Sequence, residues 1–271
     1  MDWDRQPVLI GAGQECWREP DRARTPVDAL QAVLARAASD TGSEKVLAGI
    51  DTIVHVPFLM NQVPGMAEAM PRNPGAAVAE RLGIEATQYT ADVGGNLPQQ
   101  LVSEFSARLV AGEVDVVALC GVELLATFLG AARSGDGFPD WDSGRDDDAH
   151  MLGQTPAMTA PTERLHGLYE PIHTYPIFES ALAHAEGLDP AAHRARLGRL
   201  VSAMSDVAAQ NPFAWKQRAY SPEEVVSTDN GNRMVTWPYT KLMNAILAVD
   251  QAAAVILTTV GRARELGVDP A

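Results

Sequence analysis

The run DVVALCGV, Asp115–Val122, is apolar at nearly every position after its opening aspartate. A strand with one wet face alternates apolar and polar residues. A strand without alternation is covered on both faces. Such cover comes from helices above and below, so this run points to an α/β sheet. The segment before it agrees. Leu97, Leu101, Phe105 and Leu109 recur four residues apart and lay an apolar ridge along a helix that stops at Gly112.

The same alternation of strand and helix extends upstream. PVLIGAG, Pro7–Gly13, reads as a buried strand ended by glycines. Thr25 as N-cap and Pro26 as first helical residue open a helix whose apolar face carries Val27, Leu30, Val33 and Leu34, with Gly42 as its stop. IDTIVHVPF, Ile50–Phe58, predicts a second strand, NPGAAVAERLG, Asn73–Gly83, a capped helix, and TQYTADV a third strand. Proline and methionine interrupt the pattern between Leu59 and Asn73, which reads as a loop. Beyond Glu123 the regularity breaks. Residues 124–243 read as a large insertion holding at least two helices, YPIFESALAHAEG and AAHRARLGRLVSAMSDVAAQNP. The α/β pattern resumes late, with a buried strand over Ala252–Val260. The expected division is therefore a core of 1–123 with 244–271, and an insertion of 124–243.

Charge and cysteine content narrow the function. The 271 residues carry a net charge of −14, which repels phosphate backbones and argues against nucleic acid as a partner. No apolar run approaches the ~20 residues that cross a bilayer. Two cysteines, Cys16 and Cys120, form neither a disulfide framework nor a metal motif, and a reducing cytoplasm is the expected compartment. Cys120 lies within the apolar run and reads as buried and inert. LIGAG begins like a dinucleotide fingerprint, but Cys16 stands where its third glycine belongs and no helix follows directly. The acidic loop Asp136–His150, with Asp140, Asp142, Asp146, Asp147 and Asp148, lacks calcium-loop spacing and reads as solvated surface. No metal site is assigned.

One turn stands out. In TADVGGNLPQQL a strand feeds a helix through Gly94, Gly95 and Asn96, with Pro98 just inside the helix. A helix N-terminus at the end of a strand is a place for a ligand or a reacting group.

Several ordered stretches resemble the thiolase superfamily, in its sterol-carrier and lipid-transfer branch of proteins called acetyl-CoA acetyltransferases. ARLVAGEVDVVALCGVE is similar to the thiolase helix ending in Ala-Gly, followed by Asp and a strand ending in Gly-Val-Glu. NAILAVDQAAAVILTT resembles the family's NASGxNDGAAAVLL, retaining Asn244, Asp250, Ala252, Ala253 and Ala254. YPIFESALAH, AAQNPFAW, RAYSPEEV and NRMVTWPYTKLMN are similar to the sterol-carrier branch in particular. The resemblance implies the N-terminal half of a thiolase: a five-stranded mixed sheet whose last strand is antiparallel, helices on both faces, and a large loop-domain insertion.

It also implies the site. Counting back from Gly112 places Gly95 where the family keeps its nucleophilic cysteine. Glycine cannot form an acyl-enzyme. Ile246 replaces the serine that contacts pantetheine. No catalytic residue is certain. Asn96 and Tyr175 are candidates for orienting a thioester, and Trp215, Lys216, Arg218 and Ile246 for contacting coenzyme A. Coenzyme A is expected as part of a thioester substrate or ligand, with no cofactor held covalently.

Three readings follow. The first is a thiolase-like acyl-CoA protein for steroid or lipid thioesters, of acyltransferase or C–C lyase type and expected to be inactive alone. The second is a non-catalytic protein that binds acyl-CoA or a partner. The third is a retro-aldolase subunit active only with an OB-fold partner, a homodimer being the alternative assembly.

Overall fold

A computed structural model of the chain describes residues 2–62, 70–135, 137–139, 141, 149–153 and 159–269. It divides into two units, Met1–Thr155 with Ala248–Ala271, and Pro156–Leu247. Residues 124–155, expected in the insertion, group with the first unit in this division. The acidic-loop residues Asp140, Asp142, Asp146, Asp147 and Asp148 lie outside the described residues.

In chain order the first unit contributes β1 (Pro7–Cys16), α1 (Pro26–Asp40), α2 (Lys45–Gly49), β2 (Thr52–Val56), α3 (Pro74–Leu82), β3 (Thr87–Ala91), α4 (Leu97–Ala111), β4 (Val116–Leu124), α5 (Leu125–Ser134) and β5 (His150–Leu152). The second unit holds α6 (Pro161–Leu165), α7 (Pro171–Ala185), α8 (Pro190–Gln210), α9 (Pro222–Val226) and the hairpin β6 (Met234–Thr236) and β7 (Tyr239–Thr240). The chain then returns to the first unit with β8 (Asp250–Thr259) and α10 (Val260–Glu265).

The first unit is built on one mixed sheet in the order β1-β8-β4-β2-β3-β5. β8 runs antiparallel to both β1 and β4, while β2 is parallel to β3 and β4, and β3 to β5. The sheet has six strands where five were expected. The extra one, β5, has three residues, too few to print an alternating pattern on the sequence.

Local chemistry starts and stops the helices. Thr25 accepts the Asp28 N–H and Asp28 accepts the Thr25 N–H, a capping box with Pro26 at the first turn. The Asn73 side chain caps α3 at Ala76. Gly83 and Gly112 close α3 and α4 in left-handed conformation, which a side chain would strain.

The two faces of the sheet are covered unequally. α1, α3 and α5 help bury Val116, Ala118, Cys120 and Val122 on one face. α1 lies so close to β1 that a Cβ at Gly11 or Gly13 would sit 2.2 Å from a helix carbonyl oxygen. On the other face α4 buries Leu97, Leu101, Phe105 and Leu109 against Val54, Val117, Leu119 and Leu257.

Polar contacts tie several segments of the second unit together. The Asn232 amide donates to the carbonyls of Glu224, Val225 and Ser227, and its oxygen accepts the Leu242 N–H. Glu179 accepts the Tyr239 hydroxyl at 2.6 Å and lies 3.1 Å from His193 Nε2. Burial and the Glu179 carboxylate push the Tyr239 phenol above its ordinary pKa. Among the described residues, no helix is long and apolar enough to cross a membrane.

One buried carboxylate joins the two ends of the first unit's chain. Asp250, fully buried at the start of β8, accepts the Thr127 N–H at 3.1 Å and the Thr127 hydroxyl at 2.6 Å. It thereby serves the first turn of α5 from the far end of the sequence. Asp250→Ala would leave two buried donors without a partner, and is expected to destabilise the fold by about 3 kcal/mol, with Thr127→Val costing less. Urea unfolding of both single variants and the double variant checks this: coupling between the sites is expected, and simple additivity would count against it.

Candidate functional site

The turn before α4 keeps the form expected from the sequence. Asn96 stands at the N-cap position, but its side chain caps nothing; its amide lies 3.5 Å from Gln100 Oε1. The Leu97 N–H is taken by the Gly94 carbonyl at 3.1 Å. Gly95 is exposed. A Cβ built on it meets no atom within 4 Å, and its φ lies outside the left-handed region. Neither space nor backbone conformation therefore demands glycine at this position.

Beside this turn runs a groove of about 490 Å³, contained within the first unit. Its floor is the sheet: Leu119 and Gly121 from β4, Ala253 and Val255 from β8, and Leu9 from β1. Its wall is the first turns of α4, Pro98 to Val102. The groove exists because α4 covers only part of its face. Leu9 of β1 is 55% exposed.

Glu123 closes one end of the groove. It is half-buried on β4, opposite Gln251 of β8, and accepts the Leu59 N–H at 2.5 Å. Burial raises its pKa to about 7, and the Leu59 hydrogen bond offsets only part of that rise. At neutral pH the carboxyl group is therefore poised between acid and base.

Neither cysteine offers a thiolate. Burial pushes the Cys120 thiol up to about 12. Burial also raises that of Cys16, against an opposing pull from Arg18.

The other candidates lie in the second unit. Tyr175 projects from α7 with 54% exposure. Trp215 is half-buried and Lys216 exposed, in the segment between α8 and α9. Arg218 pairs with Glu224 at 2.7 Å and lies over the Tyr220 ring. Ile246 is 40% exposed, just before β8. Gly95 and Asn96 adjoin each other in the first unit, so the candidates divide between the two units.

Two perturbed groups, Glu123 and His55, were assigned no site role from the sequence. The chemistry of Glu123 is changed by its burial in the fold. His55 stands within the second strand, IDTIVHVPF. In the fold it is fully buried beside Phe58, with both ring nitrogens lacking a hydrogen-bond partner among the described residues. It pairs in register with Cys120 and faces away from the groove. The signal was available: a histidine at an inward position of an apolar strand must be neutral or paired.

No family model matches the sequence, and no curated protein matches it. Solved structures do. A monomeric SCP2-thiolase-like protein type 1 from Mycobacterium smegmatis is 27% identical with a TM-score of 0.72, covering 98% of this chain and 48% of that one. The Ltp2-ChsH2(DUF35) aldolase is 18% identical with a TM-score of 0.63, covering 97% of this chain and 58% of that one, a likeness of fold. The chain thus spans about half the length of these structures.

The buried imidazole makes stability depend on pH. Burial lowers the pKa of His55 to about 3, from 6.5. Below pH 6.5 the unfolded chain takes up a proton that the folded chain refuses, so stability falls with pH until the folded pKa is reached. The stability gap between wild type and His55→Leu is expected to shift by about 2.5 kcal/mol in favour of the variant between pH 8 and pH 4.5. Chemical denaturation at the two pH values measures it. A gap that stays constant would contradict a neutral, buried His55.

Proposed function

We propose that this chain, which is thiolase-like and of the SCP2 branch, binds a coenzyme A thioester of a lipid or steroid acid without forming a cysteine acyl-enzyme. The observation that carries this reading is the turn before α4. The resemblance implies that the family's nucleophile would stand in this turn, and position 95 is a glycine that nothing in the local geometry requires. The two cysteines present lie on strands with raised thiol pKa values. Covalent thiolysis by this chain therefore has no nucleophile.

Coenzyme A is polyanionic and the chain carries a net charge of −14, so its capture needs a local set of cations. We assign that task to Lys216 and Arg218, with Trp215 and Ile246 along the pantetheine. Asn96 in the first unit and Tyr175 in the second are each, taken separately, candidates for orienting the acyl thioester. Residues 156–247 would then serve as the loop domain implied by the resemblance.

A partner belongs to the same reading. One similar structure is an aldolase whose name joins two proteins, Ltp2 and ChsH2(DUF35). That is in keeping with a chain that works beside a partner; the resemblance implies an OB-fold protein for that role, with C–C bond cleavage as the reaction class. A homodimer is the alternative assembly, and binding without turnover the alternative outcome. We place the protein in the cytoplasm.

Calorimetry with acetyl-CoA, a steroid-CoA and free coenzyme A tests the proposal. Both thioesters are expected to bind, and added salt to weaken them. The Lys216→Ala and Arg218→Ala variants are each expected to bind about fivefold more weakly, as for one exposed ion pair. Absence of binding by any CoA ester would overturn the reading. Thioester binding with no turnover, even beside an OB-fold partner, would leave the binding function alone standing.

A further inference from the structure

The two long helices of the second unit are fastened very differently. α8 is locked to its neighbours at several points. A Cβ at Gly198 would sit 2.7 Å from the Pro222 carbonyl oxygen of α9, so the two helices meet closely there. Ser202 donates to the Tyr220 carbonyl at 2.8 Å, Ser205 accepts the Tyr220 N–H at 2.9 Å, and Arg194 donates to the Val226 carbonyl. His193, Leu197 and Gly198 are buried. α7 has little of this. Pro176 is its one buried residue, and Tyr175, Ile177, Phe178 and Leu182 are each more than half exposed. Pro176 also has no N–H to give to the helix's own ladder.

Among the described residues, the side-chain hydrogen bonds and ion pairs that leave α7 all run through Glu179. Its Oε2 accepts the Tyr239 hydroxyl at 2.6 Å, and its Oε1 lies 3.1 Å from His193 Nε2. The hydroxyls of Thr174 and Ser180 bond only to carbonyls of α7 itself or of its cap, Glu170. Arg196 pairs with Glu186 beyond the last turn, where both side chains are exposed and the pair contributes little. A left-handed glycine stands on either side of the helix, Gly167 before it and Gly187 after it. A Cβ at either would meet no atom within 4 Å, so it is the bend and not the packing that calls for glycine. Hinges lie at such positions at the ends of elements.

We infer that α7 is a hinged strap, held in its seat by the Glu179 latch and able to leave it as one piece while α8, α9 and the β6–β7 hairpin stay folded. Opening breaks the contacts of a single carboxylate and gives up little apolar burial, so it costs less than unfolding the unit. A cover over the outer side of α7 would add to the latch and leave the hinges in place. Tyr175 is carried on this helix. The latch thereby governs when that side chain is in position for a thioester, a consequence that rests on the thioester reading, while the strap itself does not.

Hydrogen exchange of the full chain, followed by mass spectrometry on peptides from residues 171–185 and 190–210, tests the strap. In wild type the α7 peptides are expected to exchange at least about tenfold faster than those of α8. Glu179→Ala is expected to speed α7 about thirtyfold further and to leave α8 and the first unit unchanged. Tyr239→Phe removes one donor and keeps the ring, and is expected to speed α7 about fivefold. Glu179→Gln can still accept the Tyr239 hydroxyl, and is expected to have a smaller effect than Glu179→Ala. Three results would each overturn the inference: equal exchange of α7 and α8 in wild type, α7 unchanged in both Glu179→Ala and Tyr239→Phe, or α7 and α8 speeded alike by them. No coenzyme A enters the experiment, so failure of the thioester reading leaves its outcome standing.

Discussion

The sheet of the first unit depends on a strand that arrives last. β8 pairs with β1 on one side and β4 on the other, so it completes two ladders at once. Nearly a hundred residues of a second unit come between β4's helix and this return, which makes its contacts costly in chain entropy. Two features hold β8 in register. Its alternate residues Ala252, Ala254 and Ile256 enter the larger core while Leu257 enters the smaller one, so a slip by one residue would exchange the two faces. At its start Asp250 fixes the first turn of α5, tying the returning chain to the point where it left the sheet. A carboxylate buried this deeply is tolerable because both donors of Thr127 satisfy it.

The groove follows from that arrangement. A sheet widened by β8 and β1 presents more area on the second face than the 15-residue helix α4 can cover. The first face has α1, α3 and α5, and the second has α4 alone among the helices contributing to its core. What remains uncovered is lined by small and aliphatic side chains, with Glu123 at the strand end. The turn carrying Gly95 opens the same helix. One element thus sets both the wall of the groove and the position of the turn.

Much of the architecture was legible in the sequence because it rests on short-range rules. The Thr25–Asp28 box, Pro26, Asn73 and the left-handed Gly83 and Gly112 are helix punctuation that any reader of residues can find. The four-residue ridge of α4 predicted its core face correctly. β5 was not legible, since its pairing with β3 depends on tertiary position and its three residues carry no pattern. The site was legible only as a turn. The chemistry of Glu123 depends on its burial in the fold, where it stands in register with Gln251 of β8, a residue far away in sequence. His55 differs in degree: its strand was read, but alternation did not reveal that both faces there are buried.

Glu123 is the residue whose placement asks most for a reason. Its folded pKa of about 7 stands above the ordinary 4.5, so the unfolded chain releases a proton more readily than the folded one. The sign is then fixed: the contribution is fully present below pH 4.5 and is lost as pH rises towards 7. Over that interval the fold gives up about 3 kcal/mol relative to a neutral residue, a sizeable share of a domain's net stability. Leu59 does not account for this, because a glutamine would accept the same N–H without the loss. Solvation does not either, since a carboxylate needing only water would stand on the exposed rim. A half-buried carboxyl group facing an apolar groove is destabilising where it stands, and such a group is tolerated where a ligand or a proton has use for it.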